Sequence, residues 1–150
     1  MDRILVGLDA SKRATEVLDA AVDLVQRTGG KLQLFRAVGL PAEMPTNIWS
    51  MPPSQVIETF LSTARADLEE LSKRVPPDLL EGTTAQVGVA WDAICAYAHE
   101  HDVDLIVIGS HGYGLLDRLV GTTAAKIVNH ADRSVLVVRP KGGLGTNAAT

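Results

Sequence analysis

The chain has 150 residues and a mass of 16.0 kDa, the size of one domain with a core of its own. Hydrophobic residues make up 46% and charged residues 21%, which excludes an intrinsically disordered class. Fourteen basic against 18 acidic side chains leave a formal charge of −4, which argues against general nucleic-acid or anionic-membrane binding. A single cysteine excludes an intramolecular disulfide framework and a multi-cysteine zinc site. No apolar run approaches the roughly 18 residues that span a bilayer. Met1 to Gly7 opens directly on a strand, with no basic leader region, so a cytoplasmic protein is expected.

Taken in order, Ile4 to Leu8 reads as the first strand. Val17, Leu18, Ala21, Val22 and Val25 then form a helical stripe that Gly29-Gly30 stops. Leu32 to Val38 is the second strand. The stretch Gly39 to Pro53 holds four prolines together with Met44, Ile48, Trp49 and Met51. It is read either as a lid at the crevice edge or as a loop whose Trp49 folds back onto the second helix. That helix carries Ile57, Phe60, Leu61, Ala64, Leu68 and Leu71 and ends before Pro76-Pro77. A weaker strand spans Thr83 to Val89, and a short helix runs from about Trp91 to His101, with Trp91-Asp92 packing and capping it. Leu105 to Ile108 is the fourth strand. A helix from about Thr122 to His130 turns Ile127 and Val128 inward, and Val135 to Val138 is the last strand. Residues 141–150 read as a flexible tail beyond a domain of residues 1–140.

The first, fourth and fifth apolar runs do not alternate with polar residues, as expected of strands covered on both faces. Strand–helix alternation at this spacing predicts an α/β fold with a doubly wound parallel sheet. Ligands then belong at the carboxyl ends of the strands, where the strand order reverses. Two segments at those ends attract attention. Gly109-Ser110-His111-Gly112-Tyr113-Gly114 follows the fourth strand, and Gly121-Thr122-Thr123 opens a helix. Glycines let a ligand approach the backbone, and unpaired N–H groups at a helix N-terminus favour an anion such as phosphate. The threonine hydroxyls either add donors or cap the helix. Asp9-Ala10-Ser11 follows the first strand, and Asp9 either reaches a ribose in the crevice or, with Ser11, caps the first helix.

These residues resemble the universal stress protein family. The resemblance rests on Ile4 to Ser11 and on Asp104 to Pro140, above all Ile106-Val107-Ile108-Gly109-Ser110-His111-Gly112, Gly121-Thr122 and Ser134 to Pro140. It implies a Rossmann-like, adenine nucleotide hydrolase-like fold, with a five-stranded parallel sheet of order 3-2-1-4-5 and helices on both faces. It also implies binding of ATP or AMP, optionally with a divalent cation such as Mg2+, through a pattern G-x2-G-x9-G-[S/T]. Carried over, Gly109 and Gly112 would lie along the ribose and phosphates, and Gly121, Thr122 and the N–H of Thr123 would take the phosphates. Asp9 would contact the nucleoside, the backbone of Ala37 the adenine, and Ile108 would line the pocket. Here eight residues, Tyr113 to Val120, separate Gly112 from Gly121, where the family pattern has nine. The resemblance further implies a homodimer through the last strand, whose apolar run would lie at an open sheet edge. The function implied is a nucleotide-responsive stress or signalling module. A nucleotide-free scaffold and a slow ATPase are the alternatives.

Other chemistries find little support. No G-x4-G-K-[S/T] loop and no G-x-S-x-G elbow occur. The 109–123 segment has no lysine, with Arg118 its one candidate cation, which speaks against fast phosphoryl transfer. His99 and His101 are two residues apart and diverge on a helix, so they read as a solvated helix end rather than a metal site. Cys95 reads as a structural cysteine, and Ser110 as a hydrogen-bond donor to a ligand rather than a nucleophile.

Overall fold

A computed structural model describes residues 1–39, 52–110 and 121–139. The lid reading of the 39–53 loop, the 141–150 tail, Arg118 and Gly112 therefore fall wholly or largely outside the described residues.

The elements alternate as β1 (Arg3–Gly7), α1 (Ala14–Thr28), β2 (Lys31–Val38), α2 (Pro53–Ser72), a 3-10 turn (Pro77–Leu79), β3 (Leu80–Val87), α3 (Ala90–Glu100), β4 (Leu105–Gly109), α4 (Thr122–His130) and β5 (Ser134–Val138). The strands form one all-parallel sheet in the order β3-β2-β1-β4-β5. β1 and β4 lie centrally and are sandwiched on both faces, which is why Ile4-Leu5-Val6 and Leu105 to Ile108 are apolar without alternation.

Two cores follow from that placement. On one face Ile4, Val6 and Leu8 of the β1 segment meet Val17, Leu18, Ala21 and Val25 of α1 and Leu68 of α2. On the other face Leu5, Phe35, Ile106 and Ile108 meet Ile94, Tyr97 and Ala98 of α3 and Ala124 and Ile127 of α4. Phe35 is fully buried, with its ring 5.0 Å from that of Tyr97. α1 ends where expected: Gly29 adopts φ 84°, a left-handed cap that other residues take at a cost, and its N–H bonds the Val25 carbonyl.

Three expectations need correction. β3 begins at Leu80, earlier than the Thr83 read from the sequence, and ends at Val87. As an edge strand it lacks a strong apolar signature. Val128 points outward and is 51% exposed, while Ile127 one residue earlier is fully buried; a 100° turn per residue separates the two. Trp91 packs against the His130 ring at 4.7 Å, but Asp92 does not cap α3, whose N-cap residue is Val89 with no side-chain bond.

The histidine-rich stretch serves the end of the sheet opposite the strand carboxyl termini. His99 Nδ1 lies 2.8 Å from Asp132, and Arg133 donates to Asp132 and, at 2.8 Å, to the Val103 carbonyl. This network ties the turn before β5 to the turn before β4. No cluster of three potential metal ligands occurs among the described residues. Hydrogen bonds from Arg133 and then His99 hold the Asp132 carboxyl far below the ordinary carboxylate range. A carboxyl depressed in the folded state stabilises the protein above its unfolded value and loses that contribution as pH falls. Asp132→Asn is therefore expected to destabilise at about pH 7, with the gap to wild type closing towards about pH 2. Urea midpoints at the two pH values check this, and a gap that does not shrink would contradict it.

Candidate functional site

β1 and β4 are neighbours in the sheet, yet their chains leave in different directions: the β1 segment runs into α1, and β4 leads to α4. The carboxyl ends of these strands open into a cleft of about 940 Å³. Asp9, Ala37, Ile108, Gly109, Gly121, Thr122 and Thr123 all line it. The topology thus gathers the predicted residues from four separate segments, leaving only Gly112 outside the described residues.

Each wall has a local cause. Beyond β1, the Asp9 carboxylate accepts from the Ser11 N–H at 2.9 Å and from the Ser11 hydroxyl at 2.5 Å. The Ser11 hydroxyl accepts in turn from the Arg13 N–H at 3.3 Å. This is a folded turn rather than the expected cap, since the N-cap residue of α1 is Arg13 and no side chain caps it. On the β2 side, alternate residues bond alternate neighbours in a parallel ladder. The Leu8 N–H donates to Phe35 O on the β1 side, and the Gly88 N–H donates to Val38 O on the β3 side. Ala37, two residues after Phe35, therefore turns its N–H and C=O towards β1. Among the described residues no further main-chain bond crosses there, so both groups face the gap.

The β4–α4 junction is held by main-chain bonds. The Ser110 N–H donates to Val138 O at 3.0 Å, and the Gly121 N–H donates to Ser110 O at 2.6 Å. The second bond corrects an expectation, because the Gly121 N–H is already used and cannot serve an anion. Gly121 is the N-cap residue of α4, in place of the threonines, so the N–H groups of Thr122 and Thr123 in the first turn have no partner within the helix. Neither Gly109 nor Gly121 needs a left-handed φ. At Gly109 an added Cβ would meet Val17 Cγ2 at 3.1 Å. This glycine lets β4 approach α1, and replacing it would disturb packing as well as the cleft.

Sequence reading missed two cations. Lys12 and Arg13 line the same cleft. Their sole signal was their place immediately after the Asp9–Ser11 turn. Cys95 stands apart from the cleft lining, and burial pushes its thiol pKa up, in keeping with a structural cysteine. Ser110 is 1% exposed, lines the cleft and has no hydrogen-bond partner for its hydroxyl.

The cleft of this doubly wound parallel α/β domain lies at the topological switch point, the place where such sheets bind ligands when they bind one. The chain matches the sequence profile of the universal stress protein family over residues 1–139, and it belongs to that family. It is 31% identical over 137 residues to universal stress protein A homolog 1 of Coxiella burnetii, covering 90% of this chain and 94% of the relative. Universal stress protein UspA from Lactobacillus plantarum superposes with a TM-score of 0.74 at 26% identity, covering 92% of this chain and 97% of that one. A universal stress protein solved in complex with cAMP superposes at 0.68 with 20% identity, over 92% and 97% of the two chains. No helix among the described residues is long and apolar enough to cross a membrane.

An unpartnered buried hydroxyl costs about 1–3 kcal/mol. Ser110→Ala is expected to leave the ligand-free protein as stable as wild type or more so, and to weaken anionic-ligand binding. Melting curves with and without ligand read both effects. A destabilised ligand-free variant would show that the hydroxyl has a structural partner.

Proposed function

We propose that the chain binds an adenine nucleotide in the cleft between β1 and β4 and acts as a nucleotide-responsive module of the cytoplasm. The observation that carries this is the pairing of two main-chain sites across one cleft. Ala37 offers a donor and an acceptor side by side at one end, and the first turn of α4 offers free N–H groups at the other. Adenine presents an acceptor at N1 next to a donor at N6, the complement of the Ala37 pair. Hypoxanthine and guanine carry the reverse pattern at the same edge. Thr122 and Thr123 N–H groups receive phosphate with the help of the helix dipole. Asp9 contacts the ribose, and Ile108 lines the apolar floor. Gly109 borders the ribose-phosphate path, and Gly112 is carried over with it from the family pattern. A relative solved with cAMP supports the same ligand class. A divalent cation such as Mg2+ would accompany ATP, held by its phosphates.

The test is a comparison of AMP with inosine monophosphate by calorimetry. AMP binding at least about tenfold tighter is expected, since each mismatched buried polar pair forfeits roughly 1–3 kcal/mol. Equal affinities would contradict main-chain reading of the base.

Ligand occupancy changes a surface only if something reads it, and β5 supplies one such surface. It is an edge strand with Leu136 39% exposed. Val138 O faces β4 through Ser110, so by alternation Val137 turns its main-chain groups outward. The proposal includes a homodimer paired along this edge. Val137→Pro removes an outward donor without touching the β4 ladder. Light scattering is expected to give a dimer mass for wild type and a monomer mass for the variant; a monomeric wild type would contradict the pairing.

A further inference from the structure

A second cavity, of about 280 Å³, opens at the end of β2 against α2. Asp9, Ala10 and Ala37 line both this cavity and the larger cleft. Val38, Gly39, Phe60 and Thr63 line the second one alone. The two spaces therefore meet at the residue whose main chain is the candidate reader of the base.

The direction of β2 decides which edge of a base faces the second cavity. In a strand a residue's own N–H and C=O point to the same side, the N–H nearer the preceding residue and the C=O nearer the following one. The Ala37 C=O thus lies towards Val38 and Gly39. An adenine read by this pair sets N1 on the N–H and N6 on the C=O. Its N6 then stands at the Val38–Gly39 end, where the second cavity begins. The carbonyl needs only the N6 hydrogen on the N1 side. A group replacing the other hydrogen is directed along β2 towards Gly39.

The lining selects the chemistry of that group. The Arg36 guanidinium, also in the wall, is 17% exposed and bonds Asp67 at 2.8 Å. The Asp9 carboxylate accepts from Ser11, and the Thr63 hydroxyl donates to the Thr59 carbonyl at 3.1 Å. The polar groups are thus already engaged, and a charged substituent would lose its hydration for little return. Phe60 belongs to the apolar stripe of α2, yet it is only half-buried and lines this cavity. An aromatic wall favours an apolar or aromatic partner. The volume falls just below the range that takes a whole drug-sized ligand, which suits a substituent rather than a second nucleotide.

We propose that the cavity between the end of β2 and α2 is a subsite for an apolar, ring-sized substituent on N6 of the bound adenine, so that this chain accepts N6-monosubstituted adenine nucleotides. The assignment rests on the adenine-nucleotide reading and deepens it. Ala37 holds the base by N1 and the remaining N6 hydrogen, and Phe60 packs against the substituent.

The experiment is calorimetric titration of AMP, N6-benzyl-AMP and N6,N6-dimethyl-AMP into the full chain and into Phe60→Ala and Thr63→Trp. Wild type is expected to bind N6-benzyl-AMP at least about threefold tighter than AMP, through burial of the ring. N6,N6-dimethyl-AMP, which has no N6 hydrogen for the Ala37 carbonyl, is expected to bind at least about tenfold more weakly than AMP. Phe60→Ala removes the aromatic wall and Thr63→Trp fills the cavity from an exposed helix position; each abolishes the benzyl advantage and leaves AMP affinity in place. A wild type that binds AMP but gains nothing from the benzyl group overturns the subsite alone. An advantage that survives both substitutions, or a dimethyl compound that binds as tightly as the benzyl one, also overturns it. A wild type that binds none of the three overturns the adenine reading as well.

Discussion

The two bonds of the Ser110 main chain decide the shape of the site. One joins the end of β4 to the end of β5, and the other draws Gly121 to within 2.6 Å of the Ser110 carbonyl. Together they fix where α4 begins relative to the central strands. The first turn of α4 therefore opens onto the cleft, and the placing of its N–H groups along the cleft wall follows from this junction. The side chain of the same residue is left in the cleft wall without a partner. A structural clamp and a candidate ligand contact thus share one residue, and they can be separated by experiment because only the hydroxyl is free to change.

Most of the fold was legible in the sequence because the core strands are covered on both faces. Burial on two sides demands uninterrupted apolar residues, and Leu5-Val6 and Ile106-Val107 display that plainly. β3 was less legible because Leu80 to Val87 contains no fully buried residue, and its pairing with β2 is a main-chain matter that composition does not record. Val128 was misplaced for a different reason. On a helix as short as α4, two adjacent apolar residues do not reveal which one faces the sheet.

The site was legible to the extent that glycines and threonines mark it. Gly109, Gly121, Thr122 and Thr123 stand at the strand and helix ends that the cleft uses. Their individual roles were harder to read. Gly109 answers to Val17 as well as to any ligand, and the Gly121 N–H is consumed by Ser110; neither constraint leaves a trace in spacing. Ala37 is chemically silent as a side chain, so its free main-chain groups emerge only from the ladder. Lys12 and Arg13 belong to no motif, and only the topology brings the β1–α1 turn to the same cleft as the start of α4. The cleft is thus walled by two segments that are about a hundred residues apart in the chain.

The central claim is that one ligand bridges two sets of main-chain groups, at Ala37 and at the start of α4. Amide chemical shifts of the 15N-labelled protein during titration with AMP test this most directly. The account predicts that the Ala37, Thr122 and Thr123 N–H resonances move together along one saturable isotherm, while Asp104 and Arg133 at the opposite end of the sheet stay still. Saturable shifts that leave Ala37 and the α4 amides unmoved, or no shifts at all, would contradict it.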